Sequence, residues 1–374
     1  MVTIERIDSF NSIDKASWDS LLGSCRRQYI FQTYEFQSTW WKHFGEPDRK
    51  KRLLLLMLKD NGSVVGIAPL FAEEVRIVRR PVIRFIGTPI CDFMDFLIVR
   101  DREPEIVPLI YDYLRKLKCL EIDLSFIPEG SRMLGSPQMR SVPVDESPYI
   151  DLDKDWDTTF NRLNTSIRKY VARRERVIAR VGPVALERVQ DKKGVDAFLD
   201  EYFKIHVVRW RDHEGRYSQF QYPTWRAFVR ELCGTFFASG CIDLSRLRLR
   251  SDTIACHFGF IYDRVFHWYM PAYNPDYFRY SPGNIFIMRL LRDSVETGLS
   301  CFDFLRGTEP YKVFWTDSAR KLYACIGYPD DYLLTKTGQL MRSVRTFYQK
   351  QVKGRLKRLS PLMWLWYRSR GLES

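Results

Sequence analysis

Histidine is scarce in this chain of 374 residues: five in all, at His43, His206, His213, His257 and His267, none at ligand-like spacing from another. A histidine-built metal centre is therefore not expected. The eight cysteines are dispersed and include no CxxC pair, which argues against a zinc ribbon or disulfide framework and for free thiols in a reducing cytoplasm. No apolar run approaches membrane-spanning length, and LLLLML at Leu53–Leu58 is only strand-sized. The opening MVTIERIDSF is polar and alternating, unlike a secretory signal. Acidic residues are outnumbered, 46 against 59 Lys and Arg, for a net charge of +13. That imbalance favours anionic partners such as nucleotides, phosphates, acidic lipid surfaces or nucleic acid.

What the chain does have is a globular balance, 45% hydrophobic and 28% charged, with aromatics at 15%. The positive excess is local. Arg168, Lys169, Arg173, Arg174, Arg176 and Arg180 fall within one stretch beside a single acid, Glu175. Arg342, Arg345, Lys350, Lys353, Arg355, Lys357, Arg358, Arg368 and Arg370 crowd the end of the chain, with Trp364, Trp366 and Tyr367 among them and Pro361 interrupting. That end reads as a basic helical tail suited to an acidic membrane surface.

Periodicity predicts helices near residues 13–22, 34–44 and 103–118, and strands at 52–59 and 64–71 joined by Asp60-Asn61-Gly62, a strong hairpin signal. Further β character lies at 75–78, 82–87, 95–99, 119–126 and 149–152. The second half begins with a long basic helix, about 156–180, then a strand at 184–189 and helices near 194–210 and 225–239. A three-stranded meander follows at 242–249, 253–262 and 265–273. Both halves thus run through helices, an antiparallel hairpin or meander, a helix, and a strand ending in polar residues. KCLEIDLSFIPEGS at Lys118–Ser131 and LSCFDFLRGTEP at Leu299–Pro310 hold matching places, which suggests a duplication.

The most informative stretch is SPGNIFIMRLLRDSVETGLSCFDFLRGTEPYK, Ser281–Lys312. Pro282-Gly283 forms a turn, Ile285, Met288, Leu291 and Val295 share one helix face, Gly298 stops the helix, and Cys301–Phe304 reads as a buried strand, with a strand at 322–327 after it. Arg306, Gly307, Glu309, Tyr311 and Lys312 follow at once. A helix start with free amides beside a strand ending in ionisable groups suits a phosphate-bearing ligand meeting acid–base chemistry.

Taken with RLNTSIRKYVARRERVIAR, FQTYEFQSTWWKHFG and the GIAPLF hairpin, this pattern resembles the CelD-like acetyltransferases associated with bacterial cellulose and exopolysaccharide synthesis. That family belongs to the GNAT superfamily, in the branch related to Fem-type aminoacyl transferases. The resemblance spans roughly 31–328 and implies an α+β protein of tandem GNAT-like domains, each a mixed, mostly antiparallel sheet flanked by helices. Residues 1–153 would form the acceptor-side domain with a degenerate donor site, 154–335 the acyl-CoA domain, and 336–374 the tail. The implied activity moves an acyl group, acetyl from acetyl-CoA, to an amine or hydroxyl of a cell-envelope sugar or nucleotide-sugar precursor, in the cytoplasm or at the inner membrane surface. The alternatives are a Fem-type transferase using aminoacyl-tRNA, in which nucleic acid would bind, and a non-catalytic polysaccharide-binding protein on the same scaffold.

The resemblance places the donor's diphosphate at Tyr280, Ser281, Gly283, Asn284 and Ile285, although the usual superfamily loop has two glycines and this one only Gly283. Asp303 is the candidate base, with a buried ion pair to Arg306 or Lys312 as the rival reading. Glu309 and Tyr311 are placed over the acceptor, Tyr311 as the acid. His257 is the histidine nearest the expected acceptor, though a lone histidine on a strand also reads as a hydrogen-bonded core residue. Arg306, Lys312, Arg168 and Arg173 are candidate phosphate contacts. Asp92 and Asp95 occupy the matching position in the first half and are candidates for recognising the acceptor.

Overall fold

The computed structural model describes residues 1–75, 78–213 and 217–347. The first half runs β1 (Val2–Ile7), α1 (Lys15–Ser24), α2 (Tyr34–Trp40) with a π-helical turn to Gly45, β2 (Lys51–Asp60), β3 (Ser63–Val75), β4 (Arg80–Phe85), β5 (Leu97–Ile98), α3 (Glu103–Arg115), β6 (Glu121–Pro128) and β7 (Arg140–Asp151). The second runs α4 (Trp156–Arg162), α5 (Thr165–Ala179), β8 (Val184–Arg188), α6 (Lys192–Val208), α7 (Pro223–Ala238), β9 (Ile242–Leu249), β10 (Asp252–Tyr262), β11 (Val265–Tyr273), α8 (Pro282–Glu296), β12 (Cys301–Asp303), α9 (Pro310–Trp315), β13 (Ala319–Gly327) and α10 (Tyr332–Phe347).

Two of the tight hairpins form where the turn residues allow it. Asn61 and Gly62 have φ of 47° and 85°, and Asp263 and Arg264 have 48° and 59°, the pair of positive values that matches the twist of flanking antiparallel strands. β2 buries six residues in succession, Leu53–Leu58, because both of its faces are covered. The basic stretch 156–180 is two helices rather than one. Leu163 leaves helical geometry, and the Asn164 side chain accepts the Ser166 N–H at 2.8 Å to start α5 afresh.

All strands join one 13-stranded sheet in the order β1-β2-β3-β4-β6-β13-β7-β12-β11-β10-β9-β8, with β5 on β3. Its centre is an exchange. β13, late in the chain, lies between β6 and β7 of the first half, and the last three residues of β7, Tyr149–Asp151, pair with β12 of the second. Two larger departures from the predicted elements follow from this. The strand expected at 149–152 begins at Arg140, and the one expected at 322–327 begins at Ala319. One apolar core straddles both halves, with Phe36 of α2 against Phe228 of α7 at 5.9 Å between ring centroids. A second lies under α8. All eight cysteines are free, seven of them buried. The tail residues Pro361, Trp364, Trp366 and Tyr367 lie outside the described residues.

Candidate functional site

β11 and β12 pair in parallel over only three residue pairs, Val265/Cys301, Phe266/Phe302 and His267/Asp303. β11 then continues along β10 to Tyr273, while the other chain turns away: the Phe304 N–H bonds Pro148 O at 2.9 Å, Leu305 has φ of 59°, and the Gly307 N–H bonds Glu146 O at 2.9 Å. The two segments splay into a wedge.

A bulge in β11 opposite Phe258–Phe260 starts the splay. The His257 ring reaches under it, stacked 4.4 Å from Trp268, and its Nε2 accepts the Tyr269 N–H at 3.2 Å. Its Nδ1 lies 3.0 Å from Asp243, so the neutral ring donates there. Burial lowers the pKa of the imidazole against the pull of Asp243. Asp243 also takes the Ser245 hydroxyl at 2.6 Å and Arg188 at 2.8 Å, and Arg188 continues to Asp293 on α8. Residue 259 must be glycine, since a Cβ there would stand 2.1 Å from the His257 ring. His257 is therefore placed in the core between sheet and α8, with both nitrogens spent, and not toward an acceptor groove.

The wedge opens beside the start of α8. Of the amides of Gly283, Asn284 and Ile285, two are taken: Asn284 and Ile285 donate to Ser281 O at 3.1 and 3.3 Å. Ser281 is left-handed, with φ of 55°, its hydroxyl 2.6 Å from Tyr170 OH, and Pro282 has no N–H. The Gly283 amide is left, with nothing within 4 Å of where a Cβ would be. Trp315 Nε1 donates to Asn284 Oδ1 at 3.0 Å, and Tyr280 is buried. Tyr311, one helical turn before Trp315, packs against the same apolar cluster. A diphosphate would meet one free amide and the helix dipole here rather than a full amide cradle.

The helix α5 packs on this corner through Tyr170 and Arg174. Lys169, Arg173, Arg176 and Arg180 recur at helical spacing along its exposed side. Arg168 instead turns to Asn161 and Thr165 and lies over Phe160, and Arg174 donates to Arg279 O at 3.0 Å.

On the face of β11 and β12 that looks toward the first half, Asp303 has no free oxygen. Oδ1 accepts the Ser147 hydroxyl and the Leu305 N–H, both at 2.8 Å, and Oδ2 pairs with Arg320 of β13, whose guanidinium lies 3.7 Å over the Tyr149 ring. Burial raises the carboxyl's pKa while Arg320, Ser147 and the Leu305 amide pull it down. The ion-pair reading of Asp303 holds with a partner other than Arg306 or Lys312. Lys312 is buried on Leu305 O, Arg306 O (2.6 Å) and Glu309 (3.0 Å), which holds the loop rather than offering a cation to a ligand. Glu309 curls over Gly307 and is exposed.

Arg306 crosses to the first half. It donates to Pro89 O at 2.9 Å, lies 3.7 Å over the Phe126 ring, and stands 3.3 Å from Asp92. Tyr269 reaches the same loop, donating to Ile90 O at 2.8 Å. Asp92 is 7% exposed and has no hydrogen-bond donor among the described residues besides this neighbouring guanidinium. Burial pushes its pKa up to about 6 against Arg306 and Lys312. Asp95 parts from it, lining a cavity of about 30 Å³ with Arg26, Arg27, Glu103 and Ser131, its carboxyl pushed up to about 7 by burial. Three groups at this face were not expected: Arg320, Tyr149 and His267. His267 is buried with Nδ1 unpartnered, and burial and Arg320 bring its pKa down to about 4. His267 stands near the start of β11 between the buried Phe266 and Trp268, a readable signal; Arg320 depends on the strand exchange.

Residues 165–313 match a family model described as an acetyltransferase (GNAT) domain, a stretch that contains the wedge and stops before β13. No curated protein matches the chain. Among solved structures it is similar to FemX, with a TM-score of 0.60, 11% identity and coverage of 86% of this chain and 96% of that one. It is similar to the C-terminal domain (DUF2156) of a putative lysylphosphatidylglycerol synthetase from Agrobacterium fabrum, with a TM-score of 0.55, 11% identity and coverage of 89% and 98%. It is also similar to L-PGS from Bacillus licheniformis, with a TM-score of 0.51, 12% identity and coverage of 88% and 96%. Residues 165–313 are thus similar to a GNAT acetyltransferase domain, within the mixed α+β fold that was expected; the match is broader than the CelD-like family that the motifs resemble.

Proposed function

We propose that this protein is an acyltransferase whose donor enters the β11–β12 wedge and whose acceptor lies in the groove between the halves. The observation that carries this reading is that both walls of the wedge, Tyr269 of β11 and Arg306 beyond β12, reach the loop of the other half that bears a nearly unpartnered carboxylate, Asp92. In this reading the acceptor amine or hydroxyl attacks the donor carbonyl, a C–N or C–O bond forms, and Asp92 receives the proton the nucleophile loses. The carbon–sulfur bond of the acyl-CoA breaks, and the thiolate is protonated by Tyr311 or by water. Asp303 and Arg320 position the strand end, and Arg306 holds the two walls together. The acyl group is acetyl and the acceptor a sugar or nucleotide-sugar precursor of the cell envelope, as the sequence resemblance implies.

A second reading, transfer from aminoacyl-tRNA, is favoured by two features: the lone free amide at Gly283 and the exposed cation row Lys169–Arg173–Arg176–Arg180 on α5, the helix whose Tyr170 and Arg174 reach Ser281 and Arg279 O. A row of unpaired cations suits a phosphate backbone. The test incubates the protein with labelled acetyl-CoA and with labelled aminoacyl-tRNA, separately, against a panel of nucleotide-sugars. Labelled product from acetyl-CoA supports the first reading and from aminoacyl-tRNA the second. Product from neither overturns both and leaves the polysaccharide-binding alternative.

A further inference from the structure

His267 is the last residue of β11 to pair with β12, opposite Asp303 at the narrow end of the wedge. Its neighbours Phe266 and Trp268 stack on His257 on the α8 side of the sheet, so strand alternation turns His267 the other way, toward the first half. Tyr269, on the same face, reaches the loop that bears Asp92. His267 is 4% exposed, and its Nδ1 has no hydrogen-bond partner among the described residues. Hydrogen bonds to the backbone at Phe260 and Val265 therefore fall to Nε2, which leaves Nδ1 of the neutral ring a bare acceptor.

The donors at this face are committed elsewhere. The Ser147 hydroxyl goes to Asp303, Arg320 divides between Asp303 and Cys301 Sγ, the Tyr269 hydroxyl goes to Ile90 O, and Arg306 to Pro89 O. Asp303, directly opposite, is itself an acceptor and cannot serve. A buried acceptor without a donor costs stability. If the fold needed only a ring here it could use phenylalanine, as it does at Phe258, Phe260, Phe266 and Phe302. A nitrogen at this point is useful when something entering the wedge brings it a hydrogen.

We infer that His267 Nδ1 accepts a hydrogen bond from the acyl donor as it fills the wedge, which makes this residue part of the donor site. The inference rests on the transfer reading above. The matching group is an N–H. The arm of coenzyme A carries an amide N–H a short way behind its sulfur, and an aminoacyl ester carries its amino group beside the reacting carbonyl.

The experiment records the ring-nitrogen resonances of the full chain, labelled with ¹⁵N at histidine. The protein is titrated with coenzyme A and, separately, with adenosine bearing an amide-linked aminoacyl group at its 3′ position. His267→Phe assigns the signals. The Nδ1 resonance of His267 is expected to move upfield with one of the two ligands, as a lone pair does on meeting a hydrogen, and which ligand moves it tells the two donors apart. His267→Phe should bind that ligand about tenfold more weakly while the thermal midpoint holds, because only an unsatisfied acceptor leaves the core. His267→Asn, which puts an amide oxygen near the place of Nδ1, should recover part of the affinity. Binding of either ligand with the His267 resonance unmoved, or a Phe variant that binds as tightly as the wild type, would overturn the inference and leave the transfer reading standing. Binding of neither ligand by the wild type would overturn both.

Discussion

Asp92 and Asp303 are both buried aspartates at the same groove, yet their surroundings assign them opposite work. Asp303 receives a hydroxyl, an amide and a guanidinium, so its lone pairs are spoken for. Asp92 has one guanidinium beside it at 3.3 Å. Burial raises its pKa to about 6, so it is ionised and able to take a proton above that value and protonated below it. The rate of transfer is therefore expected to climb as pH rises through about 6 and then level off. Asp92→Asn should lower kcat by about 10²-fold, the usual contribution of a general base, with a smaller change in KM, and should remove that limb from the pH profile. An intact limb in the variant would move the base to another group. Asp303→Asn, by contrast, should show its main effect in the unfolding midpoint, because it leaves Arg320 without its partner.

Among the elements, the bulge opposite Gly259 governs the splay, because it turns β11 away from the parallel register it keeps through His267. Gly259→Ala would drive a methyl into the His257 ring and to within 2.4 Å of His267 O, both in the buried sheet. The expected cost is about 3 kcal/mol or more, read as a drop in the urea midpoint, with weaker donor binding in whatever folded fraction survives. Much at this scale was legible from periodicity and turn chemistry. Asn61-Gly62 and Asp263-Arg264 mark the hairpins, and the α8 positions Ile285, Met288, Leu291 and Val295 are all buried. What was not legible is non-local. The stretch 140–148 reads as loop because its residues are mostly polar and half exposed; it is a strand because β13 arrives from almost two hundred residues later to pair with it. The same arrival brings Arg320 to Asp303, so the true partner of that carboxylate was hidden while Arg306 and Lys312, near in sequence, seemed to suffice. Nor does anything in the sequence announce that Ser281 O takes two of the amides at the start of α8.

For the whole molecule, buried titrating groups pull stability in two directions as pH falls. His206 and His267 are held neutral, at about 3 and about 4, whereas in the unfolded chain they protonate near 6.5. The unfolded state therefore takes up protons that the fold refuses, and each histidine costs about 2 kcal/mol at pH 5. His257 acts in the same direction. Asp95 and Asp92, raised to about 7 and about 6, do the reverse: the fold takes up protons that the unfolded chain declines, for gains of about 3 and about 1 kcal/mol at pH 5. With Asp303, also raised by burial, set against His257, the opposing sets largely offset each other, so the thermal midpoint should change little between pH 7 and pH 5. Asp95→Asn removes the larger gain, and its midpoint should fall clearly over the same interval; a variant as flat as the parent would refute this balance. The interleaving of β7 and β13 has a mechanical corollary. Because each half lends a strand to its neighbour's sheet, the two walls of the groove cannot rock like jaws about a hinge without tearing ladder hydrogen bonds. Admission and release of reactants must then fall to smaller moving parts, above all the Arg306 side chain and the loops it pins, which makes that single guanidinium a gate latch on an otherwise rigid frame.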